Sequence, residues 1–160
     1  MRNEYKITNR DIEFIIESNK IEGILEFPSM EQIEEYKRFM SLATVEISDL
    51  EQFLRINQRN AILRNKPGIN VVVGQYLPPY GGPCIEKKLK ELLRKIIEHK
   101  LNPYEAHVEY ESLHPFTDGN GRSGRMLYRW HQYQLDGEMF LGFLHQWYYQ
   151  SLDNTRKEKE

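Results

Sequence analysis

The chain has 160 residues, 39% of them hydrophobic and 12% aromatic, with a formal charge of −2, which is enough for one domain with a buried core and too little for two. Charges of both signs are interspersed, so no basic face points to nucleic acid or an anionic membrane, and no apolar run has the length of a targeting or membrane-spanning segment. A single cysteine, Cys84, excludes an internal disulfide and a cysteine-based zinc site, a pattern that suits a reducing cytoplasm.

In chain order, the first predicted helix runs from about Asn9 to Glu22, capped by Thr8, with Asp11 in its first turn and Ile12, Ile15 and Ile16 on its apolar face. Gly23 stands where a helix ends in a left-handed residue. Glu22 is thereby placed at a helix C-terminus, where the macrodipole disfavours a carboxylate unless water or a cation from elsewhere holds it. Ser29 and Gln32 form a capping box that opens a helix to about Ile47, and Ser48 with Glu51 suggests a second box and a helix to about Leu63.

From Asn65 to Pro83 the composition changes. Lys66-Pro67-Gly68 is a turn signal, Val71-Val72-Val73 is β-branched, and Pro78, Pro79, Gly81, Gly82 and Pro83 argue against helix. A short exposed hairpin or extended flap is expected. Helix resumes from Ile85 to Lys100. Asn102-Pro103-Tyr104-Glu105 starts another helix, which Pro115 ends, leaving His114 at its C-terminal end. The set His107, Glu111 and His114 lacks the His-Glu-x-x-His spacing of a zinc site. Met126, Leu127, Tyr128 and Trp130 continue a buried helix, a last helix is expected from about Glu138 to Leu152, and residues 153–160 read as a frayed tail.

The chemistry concentrates in one stretch, His114-Pro115-Phe116-Thr117-Asp118-Gly119-Asn120-Gly121-Arg122-Ser123-Gly124-Arg125. Glycines let successive N–H groups turn inward as an anion-binding nest, and a following helix adds its positive end. On a helix starting near Ser123, Arg122 and Arg125 project to neighbouring positions and can grip one polyphosphate. Asp118 can hold Mg²⁺, which needs only one or two carboxylates when phosphates supply the rest. Histidine is the residue type here whose ordinary titration lies near neutrality. Together these spell a nucleotide phosphate site with a base beside it, although the composition alone would serve a solvated turn equally well.

The stretch resembles the signature of the Fic family, His-Pro-Phe-x-(Asp/Glu)-Gly-Asn-(Gly/Lys)-Arg-x-x-Arg, at every defined position. Ser18-Asn19-Lys20-Ile21-Glu22-Gly23 similarly resembles the family's inhibitory motif (Ser/Thr)-x-x-x-Glu-(Gly/Asn), placed N-terminally and in cis. The resemblance implies a mainly α, single-domain Fic-type helical bundle with a small β-hairpin flap. Its parts would be an inhibitory helix at 8–23, a flap at 65–83 and a catalytic helix-loop-helix at 102–134. It implies a protein adenylyltransferase that moves AMP from ATP to a Tyr, Ser or Thr hydroxyl.

In that reading His114 is the general base and Asp118 the Mg²⁺ ligand. Gly119, Asn120 and Gly121 form the anion hole, with a donor from the Asn120 side chain, and Arg122 and Arg125 take the phosphates. Phe116 anchors the loop, and Gly121, where phosphorylating relatives can carry Lys, favours AMP transfer. Ser18, Glu22 and Gly23 are the regulatory residues, Glu22 holding Arg125 away from the γ-phosphate. The flap residues Val73, Gly74, Gln75, Tyr76 and Leu77 position the target segment by backbone pairing. The expected partner is a protein with an accessible hydroxyl side chain, the chain itself included, with neither nucleic acid nor membrane, and the resemblance admits a homodimer. Two alternatives stay open: removal of AMP with Glu22 orienting water, and a non-catalytic nucleotide-binding or interaction module.

Overall fold

A computed structural model describes residues 4–135; the expected helix at 138–152 and the expected tail lie outside the described residues. Six helices make up the described part: α1 (Asn9–Ile21), α2 (Met30–Met40), α3 (Ile47–Asn57), α4 (Pro83–Ile97), α5 (Pro103–Leu113) and α6 (Asn120–Leu135). None is long and apolar enough to cross a membrane. The main packing partners are α5 against α6, α4 against α5, and α2 against α3, with α6 also touching α1, α2 and α3. One apolar core therefore surrounds α6, including Phe14, Tyr36, Phe39, Leu50, Leu54, Leu89, Tyr110, Phe116, Met126 and Trp130. Burial of apolar side chains like these is the main favourable term in folding.

Local hydrogen bonds set the helix starts. Thr8 accepts from Asp11 N–H while the Asp11 carboxylate accepts from Thr8 N–H, Ser29 and Gln32 close the same reciprocal box, and the Asn102 side-chain oxygen Oδ1 accepts from Glu105 N–H. Asp11, fully buried, also accepts from the hydroxyls of Tyr5 and Tyr36 and fixes α1 to α2.

Four expected boundaries are corrected. α2 stops at Met40, because Ser41 and the Leu42 carbonyl are taken from outside, by Tyr5 N–H and by Trp130 Nε1–H. α3 begins at Ile47, not after Ser48: the Asp49 carboxylate accepts from Glu46 N–H and also pairs with Arg38. It stops at Asn57, short of Leu63, because residues 62–64 run extended along the loop after α5. Pro83 does not exclude helix but opens α4 at its first position, where no N–H is needed.

Among the described residues no β-strand forms; the flap between α3 and α4 carries a single antiparallel bridge, Val73 to Tyr76. Gly81 lets the flap close on itself: a Cβ there would stand 2.2 Å from the Ile69 carbonyl oxygen.

His131 of α6 is 2% exposed, and neither ring nitrogen has a hydrogen-bond partner among the described residues. Burial, reinforced by His99, pushes its pKa down from 6.5 to about 4. Between those values the unfolded chain takes up a proton that the folded chain refuses, so stability falls as pH is lowered through that window. The melting temperature should drop between pH 6.5 and 5, and His131→Leu should flatten that drop.

Candidate functional site

The site begins where α5 ends. A residue preceding proline is disfavoured in the α region, and His114 leaves the helix in the left-handed conformation, φ 50°, ψ 61°, with its N–H still donating to Tyr110 O. The next residues pair with a segment some fifty positions earlier. Arg64 N–H donates to Pro115 O, Thr117 N–H to Ile62 O, and Ile62 N–H to Thr117 Oγ1, with Leu63 bridged to Phe116. Phe116 is buried as expected.

Gly119, at φ 73°, turns the chain into α6. The helix starts at Asn120, three residues earlier than expected, so Gly121 and Arg122 belong to its first turn, where N–H groups lack partners within their own helix. Asn120 is used differently from the expectation of an anion donor. Its side-chain oxygen accepts from Phe116 N–H and its amide donates to Phe116 O, so it clips the loop shut.

Asp118 is exposed; one carboxylate oxygen accepts from Gly119 N–H at 2.8 Å and the other from Gln58 Nε2 at 2.7 Å. An ionised carboxylate offers about four lone-pair sites, so acceptor capacity remains. Among the described residues no group of three or more His, Cys, Asp or Glu could hold a metal ion. A cation held at Asp118 would have this one carboxylate and would need its other oxygens from a phosphate or water, the coordination that Mg²⁺ accepts.

Arg122, buried in the first turn of α6, donates to Gln58 Oε1 at 2.6 Å. Burial pushes its pKa down, against the pull of Glu22 and Asp118 and with the push of Arg125.

Arg125, one turn further along α6 and 1% exposed, meets α1. Its Nε–H donates to Ser18 Oγ at 2.8 Å, and its Nη2 donates to Ser18 O at 2.9 Å and to Glu22 Oε1 at 2.7 Å. The sequence of α1 makes this possible. Gly23 takes φ 77°, and its N–H and that of Ile24 close on Lys20 O and Asn19 O, the Schellman pattern that ends a helix cleanly and leaves Glu22 as the C-cap. The macrodipole that disfavours Glu22 favours the Arg125 cation beside it. Gly121 provides the space: a Cβ there would stand 2.5 Å from Glu22 Oε1.

Two residues of the site have no signal in the sequence. Gln58, just past α3, touches both Asp118 and Arg122. Arg64, 0% exposed, donates through its side chain to the carbonyls of His114, Leu113, Ile69 and Pro79, joining the end of α5 to the flap. Of the expected flap residues, Val73 and Tyr76 pair with each other around Gly74 and Gln75, Leu77 is exposed, and the Tyr76 hydroxyl donates to Ser112 O. His107 and Glu111 are buried where α5 crosses α6, His107 Nδ1 lying 3.1 Å from Gly124 O.

One loop and one helix start thus collect a histidine, a carboxylate with spare acceptor capacity, and two guanidinium groups, with a second carboxylate seated on one of them. Residues 74–131, from the turn of the flap through α4 and α5 to α6, match the model of the Fic/DOC family, and this match supports a Fic domain in the chain.

Proposed function

We propose that the protein is an autoinhibited protein adenylyltransferase, moving AMP from ATP to a hydroxyl side chain of a protein substrate. Fic-domain proteins are commonly transferases acting on proteins, and the family match supports the class; residues 18–23 lie outside the matched span. The observation that carries the reading is the seat of Arg125. A guanidinium placed one turn from the helix start, beside Arg122, is held by a carboxylate and a serine of a different helix. Such an arrangement suits a phosphate ligand that is being kept out of use.

In the reaction, His114 accepts the proton of the incoming hydroxyl as its oxygen attacks the α-phosphorus, the bond to the pyrophosphate oxygen breaks, and pyrophosphate leaves. Positioned base catalysis of this kind contributes about 10²–10⁴-fold. First-turn N–H groups of α6 receive phosphate oxygens, and removing one such fixed donor typically costs about 2.7–4 kcal/mol. Arg122 neutralises phosphate charge, and Asn120 holds the loop in shape by its clip on Phe116. Asp118 would hold Mg²⁺, which would supply charge neutralisation for the departing pyrophosphate. The exposed edge of the flap near Val72 and Leu77 offers main chain for a target segment to pair with.

The test uses ATP labelled on the α-phosphate, Mg²⁺ and a cell lysate. Label should enter protein with Glu22→Gly and be lost when His114→Ala is added. Absence of label in every lane, with ATP binding demonstrated, would refute the transferase reading.

A further inference from the structure

Asp118 and Arg122 lie four residues apart around the start of α6 and carry opposite charges, yet neither takes the other as partner. Between them stands Gln58, whose Nε2 donates to Asp118 at 2.7 Å and whose Oε1 accepts from Arg122 at 2.6 Å. We infer that Gln58 is a positioning residue of the phosphate site, a neutral amide that holds the carboxylate and the guanidinium apart so that each meets the nucleotide and its metal instead of the other. The inference rests on the nucleotide reading above.

A primary amide carries a donor and an acceptor side by side. Only one orientation of Gln58 suits both neighbours, since turning it over would set oxygen against carboxylate and NH₂ against guanidinium. A direct Asp118–Arg122 pair would occupy the lone pairs that a cation needs and the N–H groups that a phosphate needs. The bridge keeps both groups charged and separated, and leaves the second carboxylate oxygen for the Gly119 N–H.

The backbone is built to bring Gln58 there. α3 ends at Asn57, and residue 58 leaves the helix at φ −154°, ψ 79°, with its N–H closing on Leu54 O. The bare glycine of the loop admits it: a Cβ on Gly119 would stand 3.1 Å from Gln58 Cβ and 2.5 Å from Leu54 Cδ2. Gly119 thus serves a close approach of α3 as well as its own turn.

Calorimetric binding of ATP, with and without Mg²⁺, tests this on the full chain carrying Glu22→Gly as parent, alone and with Gln58→Leu or Gln58→Glu. Leucine keeps much of the size and removes both polar contacts. Glutamate keeps the acceptor for Arg122 and sets a second carboxylate against Asp118. The parent should bind ATP more tightly with Mg²⁺. Gln58→Leu should lose at least about fivefold of that gain as Asp118 closes on Arg122. Gln58→Glu should bind metal-free ATP more weakly than the parent and gain more from Mg²⁺. A merely structural role would lower the melting temperature and weaken binding alike in both conditions, without this opposition of sign. A Mg²⁺ gain equal to the parent's in the variants that fold overturns the inference and leaves the nucleotide reading intact. Failure of the parent to bind ATP in either condition overturns both.

Discussion

Glu22→Gly is expected to raise AMP transfer by about two orders of magnitude while lowering the melting temperature. The two effects share one cause. Glu22 sits 2.7 Å from Arg125, a guanidinium that Ser18 also holds through its hydroxyl and its carbonyl. On the proposed function, a filled seat withholds Arg125 from the terminal phosphate and leaves the α-phosphate misplaced for in-line attack. A misplacement of about 1 Å can cost roughly 100-fold in rate. Removing the carboxylate also strips a buried cation of its charged partner. Breaking a fully buried pair costs about 3–5 kcal/mol. Here the Glu22 side chain is 33% exposed and the Ser18 contacts survive, so the loss should be smaller, about 1.5–3 kcal/mol, the range of a single hydrogen bond to a charged group. Initial rates with labelled ATP and thermal unfolding of the same samples check both signs. ATP with Mg²⁺ should restore more stability to the variant than to the parent, because the nucleotide supplies the missing anion. Activation without destabilisation would mean that Glu22 does not hold Arg125 in solution.

Arg64→Ala is expected to be the most damaging single change in the described chain outside the apolar core. The side chain is fully buried, and burial pushes its pKa down. Its charge is met by four main-chain carbonyls, two of them at the C-terminal end of α5, where the helix dipole is negative. Removing the guanidinium uncovers these carbonyls together, and unsatisfied buried polar groups cost about 1–3 kcal/mol each before water or relaxation helps. A loss of about 3 kcal/mol or more in urea unfolding is expected. Arg64→Lys should recover only part, since a compact ammonium cannot span the planar fork of acceptors. Because Arg64 Nε holds the His114 carbonyl at 2.7 Å, the lysine variant, measured in the Glu22→Gly background, should lose more in kcat than in KM. A lysine variant with parental kcat and stability would remove Arg64 from any part in placing His114.

How much of this was legible beforehand depends on the range of the interactions. The starts of α1, α2 and α5 were readable at Thr8, Ser29 and Asn102, because a capping hydrogen bond joins residues three apart and needs nothing from the rest of the chain. The end of α1 was readable for the same reason, since Gly23 is the residue that can adopt φ 77° without strain. The apolar periodicity gave the helical class. The start of α3 differs from the expectation because Ser48/Glu51 has the local pattern of a box, whereas the box that forms is closed by Asp49 on Glu46 N–H. The choice between them came from Arg38, a residue of another helix that pairs with Asp49.

The site divides in the same way. Its chemical groups stand within one dozen residues, so their identity and the turn at Gly119 could be read in order along the chain. What the chain order could not show is which of them face each other, or what faces them. Asn120 has the same formula whether it points at a phosphate or at Phe116; only the packed loop turns it to the latter. Gln58 and Arg64 look like ordinary polar residues near a turn, and they belong to the site because α3 ends early and residues 62–64 lie along residues 115–117. By itself, then, the sequence determined a helical domain, its local caps and the inventory of the candidate site, all properties of residues a few positions apart. The Glu22–Arg125 contact was an expectation carried by the resemblance of residues 18–23, and the tertiary structure supplies its geometry; the tertiary structure alone decided that Gln58 separates Asp118 from Arg122 and that Arg64 ties His114 to the flap. Those contacts join residues 50 to 103 positions apart, and only the packing of the core brings their ends together.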